Sequence, residues 1–127
     1  RRSLYTFIKR TAPFAMATTF DAPTGEACIA RRDVSNSPLQ ALTLLNDEMF
    51  MEAARALGAK AMAAASDDAG RIAFVLRRCV TRPPAPDELK TMQAFVDAQR
   101  ARKVADKDVW TALARAVLNL DESIVHP

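Results

Sequence analysis

Glycine, cysteine and histidine are scarce in this chain, with three, two and one copies among 127 residues, and each scarcity removes a class of chemistry. Phosphate-cradling loops need clustered glycines so that backbone N–H groups reach the ligand. Gly25, Gly58 and Gly70 lie too far apart for a P-loop or a dinucleotide fingerprint. Most zinc sites, and the Ser-His-Asp or Cys-His nucleophilic arrangements, need a well-placed imidazole. The single histidine, His126, lies next to the C-terminal residue, where a solvated tail is the expectation. Covalent c-type haem needs C-x-x-C-H, whereas Cys28 and Cys79 are 51 positions apart. The sequence therefore predicts no catalytic group, no metal site and no cofactor in this segment. No apolar run approaches the ~18 residues of a membrane span, and no signal peptide is visible.

Alanine, by contrast, is abundant. The 25 alanines and 38 larger apolar residues suit one helical core of modest size rather than a sheet. Residues 1–11 read as a short amphipathic helix with Leu4, Phe7 and Ile8 on one side, ended by Pro13. Residues 12–36 carry no sustained period, apart from a brief extended piece around 27–30, and are expected to wrap the helices or carry the function. Ser37-Pro38-Leu39-Gln40 is a capping-box start, and Leu39, Leu42 and Leu45 are the expected buried face of the helix it opens. Asp47 or Glu48 opens a helix to about Ala65, with Phe50, Ala53, Ala54 and Leu57 inward. A third runs from Ser66 with Ile72, Val75, Leu76, Cys79 and Val80 in register. Pro86 starts a fourth, with Leu89, Met92, Phe95 and Val96 inside. Asp106 or Asp108 starts a fifth, with Val109, Trp110, Leu113, Val117 and Leu120 inside. The predicted fold is all-α: about five antiparallel helices over 37–127, wrapped by an irregular basic arm over 1–36, forming one domain of 127 residues.

Charge is distributed unevenly. The formal net charge is +3, but residues 1–32 carry six basic and two acidic side chains, and the remainder is nearly balanced. From Asp47 onward, acidic residues gather at helix starts and basic ones near helix ends, as the helix dipole favours. Without an aligned row of cations the sequence predicts no nucleic-acid binding. Within the basic arm, Arg10, Arg31 and Arg32 together with the free N–H groups after Ser37 form a candidate anion site. The competing arrangement pairs Arg31 and Arg32 with Asp21, Glu26 or Asp33, which would fix the arm to the bundle. Cys28 and Cys79 allow a disulfide in an oxidising compartment and two separate thiols in a reducing one.

Several runs carry a family resemblance: Arg1-Arg2-Ser3-Leu4-Tyr5-Thr6-Phe7, Lys9-Arg10-Thr11-Ala12-Pro13, Phe20-Asp21-Ala22-Pro23, Asn36-Ser37-Pro38-Leu39-Gln40-Ala41-Leu42 with Leu45-Asn46-Asp47, and Thr81 to Leu89. In these the chain resembles the C-terminal part of a planctomycete-type bacterial family, domain of unknown function fifteen fifty-three. It departs from the family pattern at Ile8, Ala85 and Ser123, where tryptophan, a capping threonine and an aromatic are usual. The resemblance implies a fragment of a longer, exported, extracytoplasmic protein associated with cytochrome c domains. On that footing the expected role is non-enzymatic: packing, or docking of other domains of the parent. The alternative is the anion- or substrate-binding portion of an enzyme whose catalytic groups lie outside this segment. The oligomeric state stays open.

Overall fold

The computed structural model describes residues 5–9, 11–23, 25, 28–31 and 33–125. Among them it forms seven helices: α1 (Ala15–Thr19), α2 (Pro38–Asn46), α3 (Glu48–Ala64), α4 (Asp68–Cys79), α5 (Pro86–Ala101), α6 (Asp106–Leu118) and α7 (Asp121–Ile124). No strand occurs among the described residues, and the protein is an all-α bundle.

Local chemistry sets the helix ends. Ser37 Oγ accepts from Gln40 N at 3.3 Å while Gln40 Oε1 accepts from Ser37 N at 3.0 Å, with Pro38 supplying a first-turn residue that has no N–H to satisfy. Asp47 closes α2, its N–H donating to Thr43 O, and opens α3, its carboxylate accepting from Met49 N at 2.9 Å. The two helices therefore meet at a one-residue corner. Asp67 caps α4 through Gly70 N. At α5 only half a box exists: Glu88 accepts from Ala85 N at 2.7 Å, and alanine has no side-chain oxygen to reciprocate. Thr81 and Lys103, just beyond α4 and α5, take left-handed φ values of 62° and 59° that turn the chain sharply.

The core lies between α3, α4, α5 and α6. Ile72, Val75, Leu76, Val96, Val109, Trp110, Leu113 and Val117 are buried, each worth about 1.5–3 kcal/mol of transfer free energy. Leu57, Phe74, Leu89, Met92 and Phe95 pack around them, half exposed. The tightest crossing is α3 on α6. Ala54, Gly58 and Ala61 present a small-residue face, and a Cβ added to Gly58 would stand 2.9 Å from the backbone of Trp110 and Thr111. Gly58 is thus required by close helix approach and not by its φ. The Arg71 guanidinium lies 5.3 Å from the Trp110 ring centroid.

The N-terminal third differs from its sequence reading. No α-helix occurs between residues 5 and 12 among the described residues; the chain instead turns back through a Lys9–Ala12 bridge. A helix this short has no intrinsic stability without a partner for its apolar face, and Phe7 and Ile8 are 78% and 71% exposed. The extended piece expected around 27–30 is not a strand at Cys28–Ala30, and residues 26 and 27 lie outside the described set. In α2 the buried positions are Gln40 and Leu44, whereas Leu39 and Leu42 face outward and Leu45 is half-buried. Leu120 is also exposed, because α6 ends at Leu118 and Leu120 begins α7.

Candidate functional site

The arm is tied to the bundle through one buried polar residue. Gln40 is 1% exposed, the only buried polar side chain among the described residues. Its Oε1 completes the α2 cap, and its Nε2 donates to Thr19 O at 2.9 Å, Ser35 Oγ at 3.1 Å and Asp21 Oδ2 at 3.3 Å. Asp21, at φ 56°, in turn accepts from Ser35 N and Ser35 Oγ. These bonds close the loop from Thr19 to Ser35 over the start of α2. Asn36 Nδ2 donates to Asp121 Oδ1 and draws the same segment to α7, while Arg115 Nη2 donates to Leu45 O and caps the far end of α2 from α6.

With Gln40 and Leu44 turned inward, helical geometry sends Leu39 and Leu42 outward, at 58% and 59% exposure. They join Tyr5, Phe7, Ile8, Phe14, Ile29, Val34 and Met49, all exposed and all within residues 5–49. Two of them, Phe14 and Met49, line a groove of about 420 Å³ together with Met16, Ala17, Phe20, Ala22 and Phe50, where the Phe20 and Phe50 rings stand 5.8 Å apart. A second recess, of about 180 Å³ between Ile8, Pro13 and Pro23, shares Phe14, Ala17 and Ala22 with it. Among the described residues no charged side chain lines either one. An uncharged apolar concavity flanked by exposed apolar side chains is the chemistry of a protein-binding surface.

The ion pairs among the described residues lie outside the arm, between residues 68 and 122. Arg82 forms paired contacts to Glu88 and Glu122 at 2.6–2.7 Å, linking α5 to α7. Arg82 holds the Glu88 carboxyl down at about 2, with the Ala85 N–H adding to the effect, and the guanidinium itself is shifted up by its two carboxylates. Arg100 bonds Asp68 and Asp106, so that Asp68 too is held below the ordinary carboxylate range, chiefly by the Arg100 hydrogen bonds. These shifts move carboxyls away from the neutral range a general acid or base uses, so the two clusters act as ties between helices. Burial pushes the Cys79 thiol up, away from thiolate reactivity.

Of the candidate anion residues, Arg31 and Ser37 fall within the described set. Ser37 Oγ is committed to the α2 cap, and Arg31 is exposed with no ion pair among the described residues. Arg10 and Arg32 lie outside the described residues, as do Glu26 and His126. Cys28 and Cys79 are both free thiols, the first exposed and the second half-buried against the core. What sequence reasoning missed is the reach of Gln40 to the arm. The capping box revealed one hydrogen-bonding role for that side chain, and nothing in the local pattern revealed the partners 19 and 21 residues away.

Fold and site together define an all-α bundle carrying an apolar-faced arm. The family model described as PSD1, protein of unknown function (DUF1553), matches residues 1–96, and the chain belongs to that family. The matched stretch covers the arm, α2, α3, α4 and most of α5. No curated protein and no solved structure matches the chain.

Proposed function

We propose that this chain is a non-enzymatic docking module, and that the face formed by the arm and α2 seats another domain of the same parent protein. The observation that carries this reading is the concentration of exposed large apolar side chains in residues 5–49, which hold nine of the ten among the described residues, Leu120 being the other, beside grooves with no charged lining residue among the described residues. A charge-free lining selects an apolar protein surface over an anion or a polar substrate. The parent is a longer, exported bacterial protein of planctomycete type in which this chain is the C-terminal part, working outside the cytoplasm beside c-type cytochrome domains. The runs around Tyr5, Pro13 and Asn36–Asp47 support that placement by their resemblance to the family. The segment holds no cofactor of its own, a reading supported by its scarce glycine and histidine.

The test compares hydrogen exchange of the free chain with that of the intact parent. Amides of 5–20 and 37–44 are expected to slow in the parent, and the double variant L39S/L42S to reverse that slowing. The same substitutions should change the unfolding free energy of the free chain by no more than about 0.5 kcal/mol, as for other surface positions. Equal exchange in the two forms would sink the docking reading.

A further inference from the structure

A second surface, on the opposite chemistry, lies between α3 and α4. Ala53, Ala56, Leu57, Lys60 and Ala64 recur on α3 at helical spacing, one strip round from the buried Ala54, Gly58 and Ala61. With Phe74 and Arg78 of α4 they line a concavity of about 600 Å³. A neighbouring recess of about 450 Å³ shares Ala64, Phe74 and Arg78 and continues the trough along α4 past Ala73 and Arg77 to Gly70. The trough follows α3 from Ala53 to Ala64, a rise of about 16 Å at 1.5 Å per residue, or about three helical turns.

Its charge is one-sided. Lys60, Arg77 and Arg78 are exposed along it, none forms an ion pair among the described residues, and no carboxylate lines either recess. Glu52 adjoins Ala53 in sequence but lines neither recess, and Asp67 and Asp68 are occupied with the Gly70 N–H and with Arg100. Three other arginines, Arg71, Arg82 and Arg100, are paired with carboxylates, whereas Arg77 and Arg78, like Arg31, Arg55 and Arg102, have no ion pair among the described residues. The helix dipole accounts for cations at Arg77 and Arg78 in the last turn of α4, while Lys60 lies just before the last turn of α3. The Arg78 guanidinium lies 5.4 Å from the Phe74 ring centroid, which holds its charge at the trough edge while the ring forms the floor.

We propose that the α3/α4 trough binds an acidic amphipathic helix of a protein partner. The helix lays its apolar face on Leu57, Phe74 and the alanines and pairs its flanking carboxylates with Lys60, Arg77 and Arg78. Two packed helices with a small-residue floor leave a groove that takes a third helix by ridge-into-groove packing. The cations on both walls require acids on both flanks of that helix. This surface is separate from the arm face, so either can fail without the other.

The probe is a fluorescein-labelled synthetic helix of about four turns, leucine and alanine on one face and glutamate on both flanks, titrated against the full chain. Saturable binding is expected, weakened about tenfold both by Glu→Gln replacement in the peptide and by K60Q/R78Q in the chain. A63W, at a further alanine that lines the α3/α4 recess, should block it without altering the charge. Thermal midpoints of the variants, matched to the parent sequence, show that the fold is kept. Absence of saturable binding overturns the proposal, as does equal binding of the glutamine peptide. Binding of phosphatidylglycerol vesicles or duplex DNA through the same cations, with no peptide binding, also overturns it.

Discussion

The arm with α2 and the bundle of α3 to α6 solve the same problem with opposite results. In the bundle, apolar residues at helical spacing find partners on neighbouring helices, and Trp110, Ile72, Leu76 and Leu113 are sealed. In the arm, residues as apolar as these stay in solvent, with Phe7 at 78% exposure. The bundle is held by area and close approach, the arm by hydrogen bonds to a single buried glutamine. Apolar content alone therefore does not decide burial; a residue is buried when topology places a complementary face opposite it. The arm has an apolar face left exposed among the described residues, which is why the docking reading rests there.

That comparison can be broken most forcefully at Trp110. W110A empties the centre of the bundle and removes the ring under Arg71, and should lower the unfolding free energy by about 3–5 kcal/mol in urea titrations. A loss below about 1 kcal/mol would mean that the α3/α6 crossing is not the organising contact. A smaller effect, confined to the other region, is expected of Q40A. It leaves the Thr19 carbonyl and the Ser35 and Asp21 side chains without their shared donor, a loss of about 1–3 kcal/mol. Limited proteolysis should then cut between Thr19 and Ser35 while amide protection in α3 to α6 stays unchanged. Uniform loosening would erase the distinction between the two regions.

The smallest effect concerns pH. Glu88 titrates at about 2 in the folded protein against 4.5 ordinarily, so its contribution is present above pH 4.5 and is lost as pH falls toward 2. Solvent screening at this partly exposed pair keeps the contribution small. E88Q should flatten the fall in thermal midpoint across that window and leave the midpoint above it only slightly lower. An unchanged acid slope would assign the acid sensitivity to Asp68, whose carboxyl is also lowered, by Arg100.

Most helix starts could be read from single residues. Ser37 with Pro38 and Gln40, Asp67, and Pro86 each satisfy or remove N-terminal N–H groups within four residues, so their effect is local and visible in the sequence. The inward faces of α4 and α6 were legible for the same reason: Ile72, Val75, Leu76 and Val109, Trp110, Leu113, Val117 repeat at the helical period. Alpha2 was not. Its leucines at 39, 42 and 45 made the better apolar stripe, yet Gln40 and Leu44 are the buried pair, because the arm offers hydrogen-bond acceptors where α2 meets it. The expected first helix failed through the same dependence on a partner.

The sequence by itself determined an all-α chain, where its main helices begin, and which chemistries its scarce glycines and single histidine disfavour. Those properties rest on interactions within one turn or on composition. Tertiary structure alone decided that Gln40 is core, that Leu39 and Leu42 are surface, and that Gly58 marks the closest helix crossing. It also paired Arg82 with Glu122 across 40 residues and Arg100 with Asp68 across 32. Each of these depends on what lies opposite a residue in space, which no local periodicity encodes.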